Sequence, residues 1–386
     1  MSIPSHTALR LAFIGGSINS AVGYTHFNAS RLDGHFRLEA GCFSRNKDIN
    51  RRTAEIYGVP FERCYEDWRT LLQEERGSTD AVVILTPTPN HYDVVISAID
   101  SGYPVICEKA LATSSRECRD IRAAVDHNRG YLAVTYNYSG YPMVRELRQM
   151  ISSGKMGMLQ QIHIEMPQEG FLRKDANPQD WRRHDYAVPT ISLDLGVHVH
   201  HLLHFLTCGL RPVTVVGEQC TYGAFDEIID NVYCLARYEQ DLRVQAWWGK
   251  TALGYRNGLR VRVFGSEASA EWLQMQPEFL HFADNEGACS IIDRASSNAV
   301  LAREVRYNRF KAGHPSGFIE AFANLYVDLA EDVRHFQEGT KKENPFVFGA
   351  PHAEEGLAFL EAVSQSSRQN NWITLDWSVD CMSVKY

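Results

Sequence analysis

The sequence contains no CxxC pair, although its 386 residues include nine cysteines. These cysteines are scattered along the chain, at Cys42, Cys64, Cys107, Cys118, Cys208, Cys220, Cys234, Cys289 and Cys381. Zinc sites and disulfide frameworks both need regularly spaced cysteines, so the pattern argues against each of them. We therefore expect most of the cysteines to be small buried side chains in a reducing cytoplasm.

Long apolar runs and long basic runs are also missing. No apolar stretch approaches the ~20 residues that span a bilayer, and the opening MSIPSHTALR lacks the apolar core of a signal peptide. The formal net charge of −8 and the absence of any Lys/Arg run argue against a nucleic-acid surface. No internal repeat or low-complexity segment occurs. We expect a cytoplasmic protein with no membrane or nucleic-acid partner.

A short apolar run that ends in glycine opens the chain. Residues 11–14 are Leu-Ala-Phe-Ile, and Gly15, Gly16 and Ser17 follow directly. A continuous apolar run is typical of a buried parallel strand. Glycines after such a strand allow a tight turn and let backbone approach a pyrophosphate at the next helix N-terminus. The G-x-G-x-x-G pattern is imperfect, since Ser17 replaces its second glycine and Ser20 its third.

Strands and helices then alternate through the first 136 residues. The predicted strands are 11–14, 36–43, 80–85, 103–107 and 132–135, and the helices between them are 20–32, 50–57, 67–75, 92–101 and 114–128. This alternation predicts a doubly wound parallel sheet, whose ligands bind at the carboxyl ends of the strands. Ser44 and Arg45 follow the second strand, where they suit a 2′-phosphate and favour NADP. If Arg45 is instead a solvated loop residue, the sequence does not favour NADP over NAD.

The second half of the chain has longer, alternating strands. They are predicted at 159–165, 213–221, 230–238, 243–248 and 259–264, with helices at 143–152, 318–337 and 353–369. Alternation favours a mostly antiparallel sheet with one buried face. The predicted fold class is α/β, with a Rossmann domain at 1–136 and a substrate-binding and oligomerisation domain at 137–386.

Acidic and imidazole side chains cluster in the segment LDLGVHVHHLLH. If residues 194–205 are helical, Asp194, His198 and His201 share one face at i, i+4 and i+7. Acid–base chemistry fits this set, with Asp194 orienting or charge-pairing His198. Two histidines could also bind a metal, but the sequence offers no third ligand. A polar helix interface is the alternative without chemistry.

Lys109 follows the fourth predicted strand and is preceded by Glu108. A lysine near a nicotinamide can stabilise developing alkoxide charge, and burial can lower its pKa enough for proton transfer. Further polar or aromatic residues that could surround a sugar-like ligand are Asn137, Tyr138, Trp181, Arg182 and His314.

Five motifs now stand in order along the chain: the GGS turn, TPTPNH, CEKAL, YNYSGYPM and DLGVHVHHL. Together they resemble the Gfo/Idh/MocA family of NAD(P)-dependent oxidoreductases over about residues 10–375. The later segments GLRVRVFGSEASAEW and GHPSGFIEAFANLY are similar to those of the family's sugar-related members. The resemblance implies a Rossmann domain followed by an α/β domain whose open sheet often mediates dimers or tetramers.

The resemblance also implies roles for individual residues. Lys109 matches the lysine of the family's EKP motif, near the nicotinamide, and Asp194 and His198 match its D-x-G-x-H pattern. His201 stands where many members carry aspartate. Two departures put cofactor affinity in doubt: Ala110 replaces the EKP proline, and Ser17 replaces a fingerprint glycine.

We therefore predict hydride transfer between NAD or NADP and a secondary alcohol or ketone of a sugar, sugar derivative or inositol-like polyol. The predicted catalytic residues are Lys109, Asp194 and His198, with no metal. The predicted cofactor contacts are Gly15, Gly16, Ser17, Ile18, Asn19, Ser44, Arg45, Thr86, Pro87, Asn90, His91, Glu108, Lys109 and Asn137. The predicted substrate contacts are Lys109, Tyr138, Trp181, Arg182, Asp194, His198, His201 and His314. An NAD-dependent glycosidase or lyase and a non-catalytic sensor are the alternatives, and a homodimer or homotetramer is expected.

Overall fold

The computed structural model describes residues 7–340 and 342–377, which form two compact units. Unit 1 holds the described residues up to Gly140 together with Gly317–Glu354. Unit 2 holds Tyr141–Ser316 and the described residues from Glu355 onward. Cys381 lies outside the described residues.

Unit 1 is built on a five-stranded parallel sheet. Its strands are β1 (Leu9–Gly15), β2 (Phe36–Cys42), β3 (Ala81–Leu85), β4 (Val105–Glu108) and β5 (Leu132–Thr135). Their spatial order is β2-β1-β3-β4-β5, and every neighbouring pair is parallel. The order reverses between β1 and β3, which is where a doubly wound sheet opens a ligand crevice at its carboxyl edge.

Five helices connect these strands: α1 (Gly23–Leu32), α2 (Lys47–Tyr57), α3 (Trp68–Glu74), α4 (His91–Asp100) and α5 (Ser115–Asn128). Local caps determine several of their ends. The Asn46 side chain accepts hydrogen bonds from the backbone N–H groups of Asp48 and Ile49, and Gly58 ends α2 in the left-handed region. The Ser114 hydroxyl caps α5 by accepting one hydrogen bond, from the Glu117 N–H.

Unit 2 contains a nine-stranded sheet in the order β13-β12-β11-β10-β6-β9-β8-β7-β14. The strands are β6 (Leu159–Pro167), β7 (Pro212–Cys220), β8 (Asn231–Tyr238), β9 (Arg243–Gly249), β10 (Arg260–Gly265), β11 (Ala268–Leu273), β12 (Leu280–Asp284), β13 (Cys289–Ile292) and β14 (Ile373–Thr374). All neighbours are antiparallel except β6 and β9. The predicted fold class is confirmed.

Side chains alternate along the strands of unit 2, so one face of the sheet is buried. In β8, for example, Val232 and Cys234 are buried, whereas Tyr233 and Leu235 are exposed. Helices α6 (Pro142–Ser152) and α7 (Val197–Leu206) also belong to this unit. The sequence patterns did not predict β11 to β14, which have six, five, four and two residues.

The chain returns to unit 1 through α8 (Phe318–Gln337), before α9 (Ala350–Gln369) carries it into unit 2 again. The buried face of α8 includes Phe322 and Tyr326, which share one hydrophobic core with Phe13 and Phe27. We predicted a single domain boundary after residue 136, but α8 also belongs to unit 1. Its apolar side chains pack against those of α1, although the two helices are far apart along the chain. No helix in the described ranges is long and apolar enough to cross a membrane.

Candidate functional site

The turn after β1 depends on backbone that only glycine supplies easily. Gly15 has φ +84°, and a Cβ placed on it would lie 2.7 Å from the Leu85 carbonyl group. The predicted cofactor residues Gly16, Ser17, Ile18 and Asn19 form the loop that follows. The Ile18 N–H lies 3.3 Å from the Thr53 hydroxyl oxygen, which anchors this loop to α2.

The loop is longer than we predicted, because α1 begins at Gly23 and not at residue 20. A Cβ on Gly23 would lie 2.1 Å from the Gly16 carbonyl oxygen. Close packing of the helix against the end of the first strand is the task of the third fingerprint glycine. The sequence pattern aligned Ser20 with the third fingerprint glycine. In the structure Gly23, three residues later, makes this close contact.

Two buried polar atoms lie unsatisfied at the carboxyl ends of the parallel strands. Within the described residues, the Thr86 hydroxyl and the Asn137 side-chain nitrogen find no hydrogen-bond partner. Thr86 follows β3, and Asn137 follows β5. Buried polar groups are normally paired, so these atoms, with the glycine turn, fit a polar ligand such as a dinucleotide. Both residues were predicted to contact the cofactor.

His91 begins α4, and its buried ring links two neighbouring strand ends. Its Nδ1 lies 2.8 Å from the Ala110 carbonyl oxygen, and its Nε2 lies 2.7 Å from the Thr86 carbonyl oxygen. Burial lowers the pKa of the imidazole. Pro87 and Asn90 belong to the short turn that precedes this helix. The structure therefore gives His91 a role in shaping the loops.

Ser44 and Arg45 follow β2, as predicted from the sequence. The Ser44 hydroxyl accepts a hydrogen bond from the Asn46 N–H at 3.1 Å, and Arg45 is exposed. No acidic side chain stands between Phe43 and Asn46 to bind a ribose hydroxyl. A hydroxyl and a guanidinium are thus the groups that this strand end offers.

Glu108, at the end of β4, is the centre of a buried polar network. Its carboxylate lies 3.2 Å from His26 Nε2 and accepts a hydrogen bond from the Thr135 hydroxyl. His26 Nδ1 in turn lies 2.8 Å from the Tyr326 hydroxyl. Burial raises the pKa of the Glu108 carboxyl, but His26, Lys109 and Thr135 outweigh it, so the net pKa lies below its ordinary value. Glu108 is therefore an ionised, fixed group.

Lys109 follows Glu108 directly and is half-buried. The peptide bond between Lys109 and Ala110 is cis. Three contacts hold the backbone around it: the β4–β5 pairing of Glu108 with Thr135, the carboxylate network, and the His91 contact to Ala110. These contacts position the lysine at the carboxyl edge of the sheet.

In unit 2, Asp194 lies in a π-helical turn, Ser192–Gly196, which leads directly into α7. Its carboxylate forms ion pairs with two cationic side chains. Lys250 Nζ forms an ion pair with one oxygen, and Arg182 Nη2 lies 3.3 Å from the other. We expected a regular α-helix from residue 194, but the wider π turn changes the spacing at Asp194.

His198 and His201 lie on α7 and are buried, at 5% and 0% exposure. The His201 ring stacks on Phe205, with centroids 5.9 Å apart. Burial lowers the pKa of His201 well below its ordinary value, and the nearby histidines lower it further. His201 is therefore a neutral imidazole near neutral pH, able to donate one hydrogen bond and accept one.

The structure places the other predicted substrate residues in different surroundings. The Arg182 guanidinium stacks 4.3 Å from the Trp181 ring while it reaches Asp194. His314 is exposed and lies against Phe310 and the Lys311 carbonyl. Tyr138 is buried in unit 1, where its ring meets Phe318. Trp181 and Arg182 thus join the Asp194 cluster.

The sequence patterns missed three residues of these clusters: Gly23, His26 and Lys250. Lys250 comes directly after β9, and the end of an alternating strand is a place to search for such a cation. Gly23 and His26 lie within LRLAFIGGSINSAVGYTH, but nothing local separates them from ordinary helix residues. No group of three metal-ligating side chains occurs within residues 7–340 and 342–377.

Comparison with known proteins agrees with this geometry. Residues 9–136 match a family model described as an oxidoreductase family with an NAD-binding Rossmann fold, and residues 144–271 match the GFO/IDH/MocA C-terminal domain.

The chain belongs to the GFO/IDH/MocA family of oxidoreductases.

Several relatives in this family match most of the chain. The uncharacterised oxidoreductase YfiI of Bacillus subtilis is 28% identical over 389 residues, or 95% of this chain and 96% of that protein. An inositol 2-dehydrogenase of Acidothermus cellulolyticus is 26% identical over 272 residues, or 70% and 74%. The crystal structure of an inositol dehydrogenase homologue of Azotobacter vinelandii, complexed with NADH and myo-inositol, has a TM-score of 0.86 and 27% identity, covering 96% and 98%.

Membership of the GFO/IDH/MocA family confirms the predicted resemblance and the NAD-binding Rossmann domain. The glycine turn and Thr86 lie within residues 9–136, which match the NAD-binding family model, and Asn137 is the residue directly after that range. This GFO/IDH/MocA protein is therefore an NAD-binding oxidoreductase.

Proposed function

We propose that this oxidoreductase transfers a hydride between nicotinamide and a secondary alcohol or ketone of a sugar, sugar derivative or cyclic polyol. The observation that carries the proposal is the buried Asp194, which two cations hold in unit 2 four residues before His198. Ion pairs keep a carboxylate charged, and a charged carboxylate suits an imidazole that must accept a proton. The relatives' names support the substrate class: one acts on inositol, and one was crystallised with myo-inositol.

In the oxidative direction, His198 accepts the hydroxyl proton and Asp194 stabilises the resulting imidazolium. Lys109 polarises the substrate oxygen and stabilises the developing alkoxide charge. Bound nicotinamide supplies the acceptor for the hydride, and the protein supplies orientation and electrostatics. Lys109 and His198 exchange roles in the alternative mechanism, which has the same balance of protons.

We further propose that the predicted contacts divide by unit. The glycine turn, the ends of β2 and β3, Glu108, Lys109 and Asn137 hold the dinucleotide. His201, Trp181 and Arg182 contact substrate hydroxyls together with the catalytic residues. Tyr138 and His314 remain in the proposed substrate set.

We also propose that the protein forms a homodimer or homotetramer through the open face of the nine-stranded sheet. This face exposes apolar side chains, among them Tyr233, Leu235 and Ile291, with exposures of 40%, 50% and 61%.

The eight cysteines among the described residues are free thiols, which suits a reducing cytoplasm.

The test begins with cofactor binding. Purified protein is checked for cofactor already bound, titrated with NADH and NADPH by fluorescence, and then screened for NAD(P)-dependent oxidation of inositols and sugars. We expect Lys109→Met and His198→Asn each to lower kcat by about 100-fold or more, because general acid–base groups contribute about 10²–10⁴-fold. The exposed Lys155→Met and His127→Asn serve as matched controls with unchanged rates.

Other outcomes contradict the proposal in distinguishable ways. Near-full turnover in both Lys109→Met and His198→Asn contradicts the assignment of these residues to the catalytic site. Tightly retained cofactor with glycoside cleavage, and no need for added NAD(P), indicates the glycosidase or lyase. Cofactor binding without turnover of any sugar or polyol indicates a sensor.

A further inference from the structure

We propose that Lys250 is a positioning residue of this oxidoreductase: it holds the Asp194 carboxylate in the orientation and charge state that His198 needs. The inference rests on the proposed function for its chemistry, but the pairing stands on geometry alone. Lys250 lies 56 residues from Asp194 along the chain, yet its ammonium group pairs with Oδ2 of that carboxylate.

The pair is sheltered from water. Each of the two side chains is only 12% exposed. Ion pairs at the surface contribute little because water screens them, whereas removal of one partner from a buried pair leaves the other charge uncompensated. Arg182 occupies the other carboxylate oxygen at 3.3 Å, but it is more exposed, at 21%, and it belongs to the loop that follows β6. Lys250 is the more firmly enclosed of the two cations.

The main chain around Lys250 is anchored on both sides. Its N–H donates a hydrogen bond to the Asp230 carbonyl at 2.9 Å, and its carbonyl accepts one from the Phe171 N–H at 2.9 Å. The Phe171 ring also lies 5.2 Å from Nζ, a distance typical of a cation–π contact. Asp230 is fully buried, and its carboxylate accepts hydrogen bonds from the Tyr222 and Gly223 N–H groups.

The strand that carries Lys250 is also joined to the turn that carries Asp194. The Trp248 indole N–H, two residues before Lys250, donates a hydrogen bond to the Ser192 hydroxyl at 3.1 Å. A Cβ on Gly196 would lie 3.1 Å from the Trp248 ring, so the π turn packs directly on β9. The two ends of the ion pair are thus parts of one braced structure, and Lys250 has little freedom to leave Asp194.

This arrangement suits a positioning role. A catalytic acid–base pair needs its members within a fraction of an ångström of their working geometry. Lys250 restricts the orientation of the carboxylate and places an ammonium group beside one of its oxygens. A purely structural lysine would affect stability but not the turnover of folded protein.

The experiment combines Lys250→Met, Lys250→Arg and Asp194→Asn with the double variant of Lys250→Met and Asp194→Asn. We expect Lys250→Met to lower kcat by about 10- to 100-fold, with the KM for cofactor changed by less than about 2-fold. Lys250→Arg keeps the charge and restores part of kcat. In the Asp194→Asn background, Lys250→Met changes kcat by less than about 3-fold, since Lys250 acts through that carboxylate. Lys155→Met is the matched control.

A second readout needs no substrate. The thermal midpoints of the wild type, Lys250→Met, Asp194→Asn and the double variant form a double-mutant cycle. We expect the double variant to lose at least about 2 °C less than the sum of the two single losses. If no sugar or polyol is turned over by the wild type, the proposed function fails and this cycle alone decides the pairing. Additive effects on kcat or additive thermal losses would overturn the inference, as would a Lys250→Met variant with wild-type kcat.

Discussion

The buried Glu108 network allows a quantitative test of how unit 1 is held together. Glu108 is 5% exposed and accepts hydrogen bonds that involve His26 and Thr135. Hydrogen bonds to charged groups contribute about 1.5–3 kcal/mol each. Glutamine keeps the shape and one oxygen acceptor but removes the charge. We therefore expect Glu108→Gln to lower the free energy of unfolding by about 2–3 kcal/mol at pH 7.

Tyr326→Phe is the graded comparison within the same network. It removes a single hydroxyl, 2.8 Å from His26 Nδ1, and leaves the carboxylate and its other donors in place. One neutral hydrogen bond contributes about 1 kcal/mol. The phenylalanine variant is therefore expected to lose less stability than the glutamine variant.

The effect of Glu108→Gln depends on pH with a definite sign. The pKa of Glu108 in the folded chain lies below its ordinary value of 4.5. The carboxylate's contribution to the free energy of unfolding is therefore complete above the pKa of the unfolded chain, and it is lost as the pH falls through the pKa of the folded chain. The difference between wild type and Glu108→Gln is thus largest at pH 7 and shrinks below about pH 4.5.

Urea denaturation at pH 7, 5 and 4, followed by far-UV circular dichroism, measures these free energies. Exposed Glu62→Gln is the control for loss of a carboxylate. Two results refute the reasoning: a Glu108→Gln penalty that stays constant from pH 7 to pH 4, or a Tyr326→Phe penalty larger than that of Glu108→Gln.

Two further predictions concern the cofactor. Gly23→Ala places a methyl group about where a Cβ would lie 2.1 Å from the Gly16 carbonyl oxygen. We therefore expect the affinity for NADH to fall by at least about 10-fold and the thermal midpoint to drop. An NADH affinity that fluorescence titration finds unchanged contradicts the packing role of Gly23. Arg45→Ala is expected to weaken NADPH binding by about 5-fold or more and NADH binding by less than 2-fold, because a guanidinium suits the 2′-phosphate; equal effects on the two cofactors in parallel titrations show that Arg45 is only a solvated loop residue.

The fold class of both units followed from local patterns. Buried parallel strands are short apolar runs, and β3 is buried at every position, so periodicity located it within one residue of its observed start. Glycine after β1 and proline after β3 marked the carboxyl edge of the sheet, because these residue types alter backbone geometry wherever they occur. β14 has only two residues, which are too few to show a period.

The sequence by itself thus determined the order of the elements, the carboxyl edge of the parallel sheet, where we propose that the cofactor binds, and the presence of Lys109, Asp194 and His198. Only the tertiary structure decided their partners. Lys250 reaches Asp194 across 56 residues, and Tyr326 reaches His26 across 300. Such contacts depend on which surfaces pack together, and hydrophobic burial of α8 against α1 is a property of the whole unit. A pattern within ten or twenty residues carries no information about that choice.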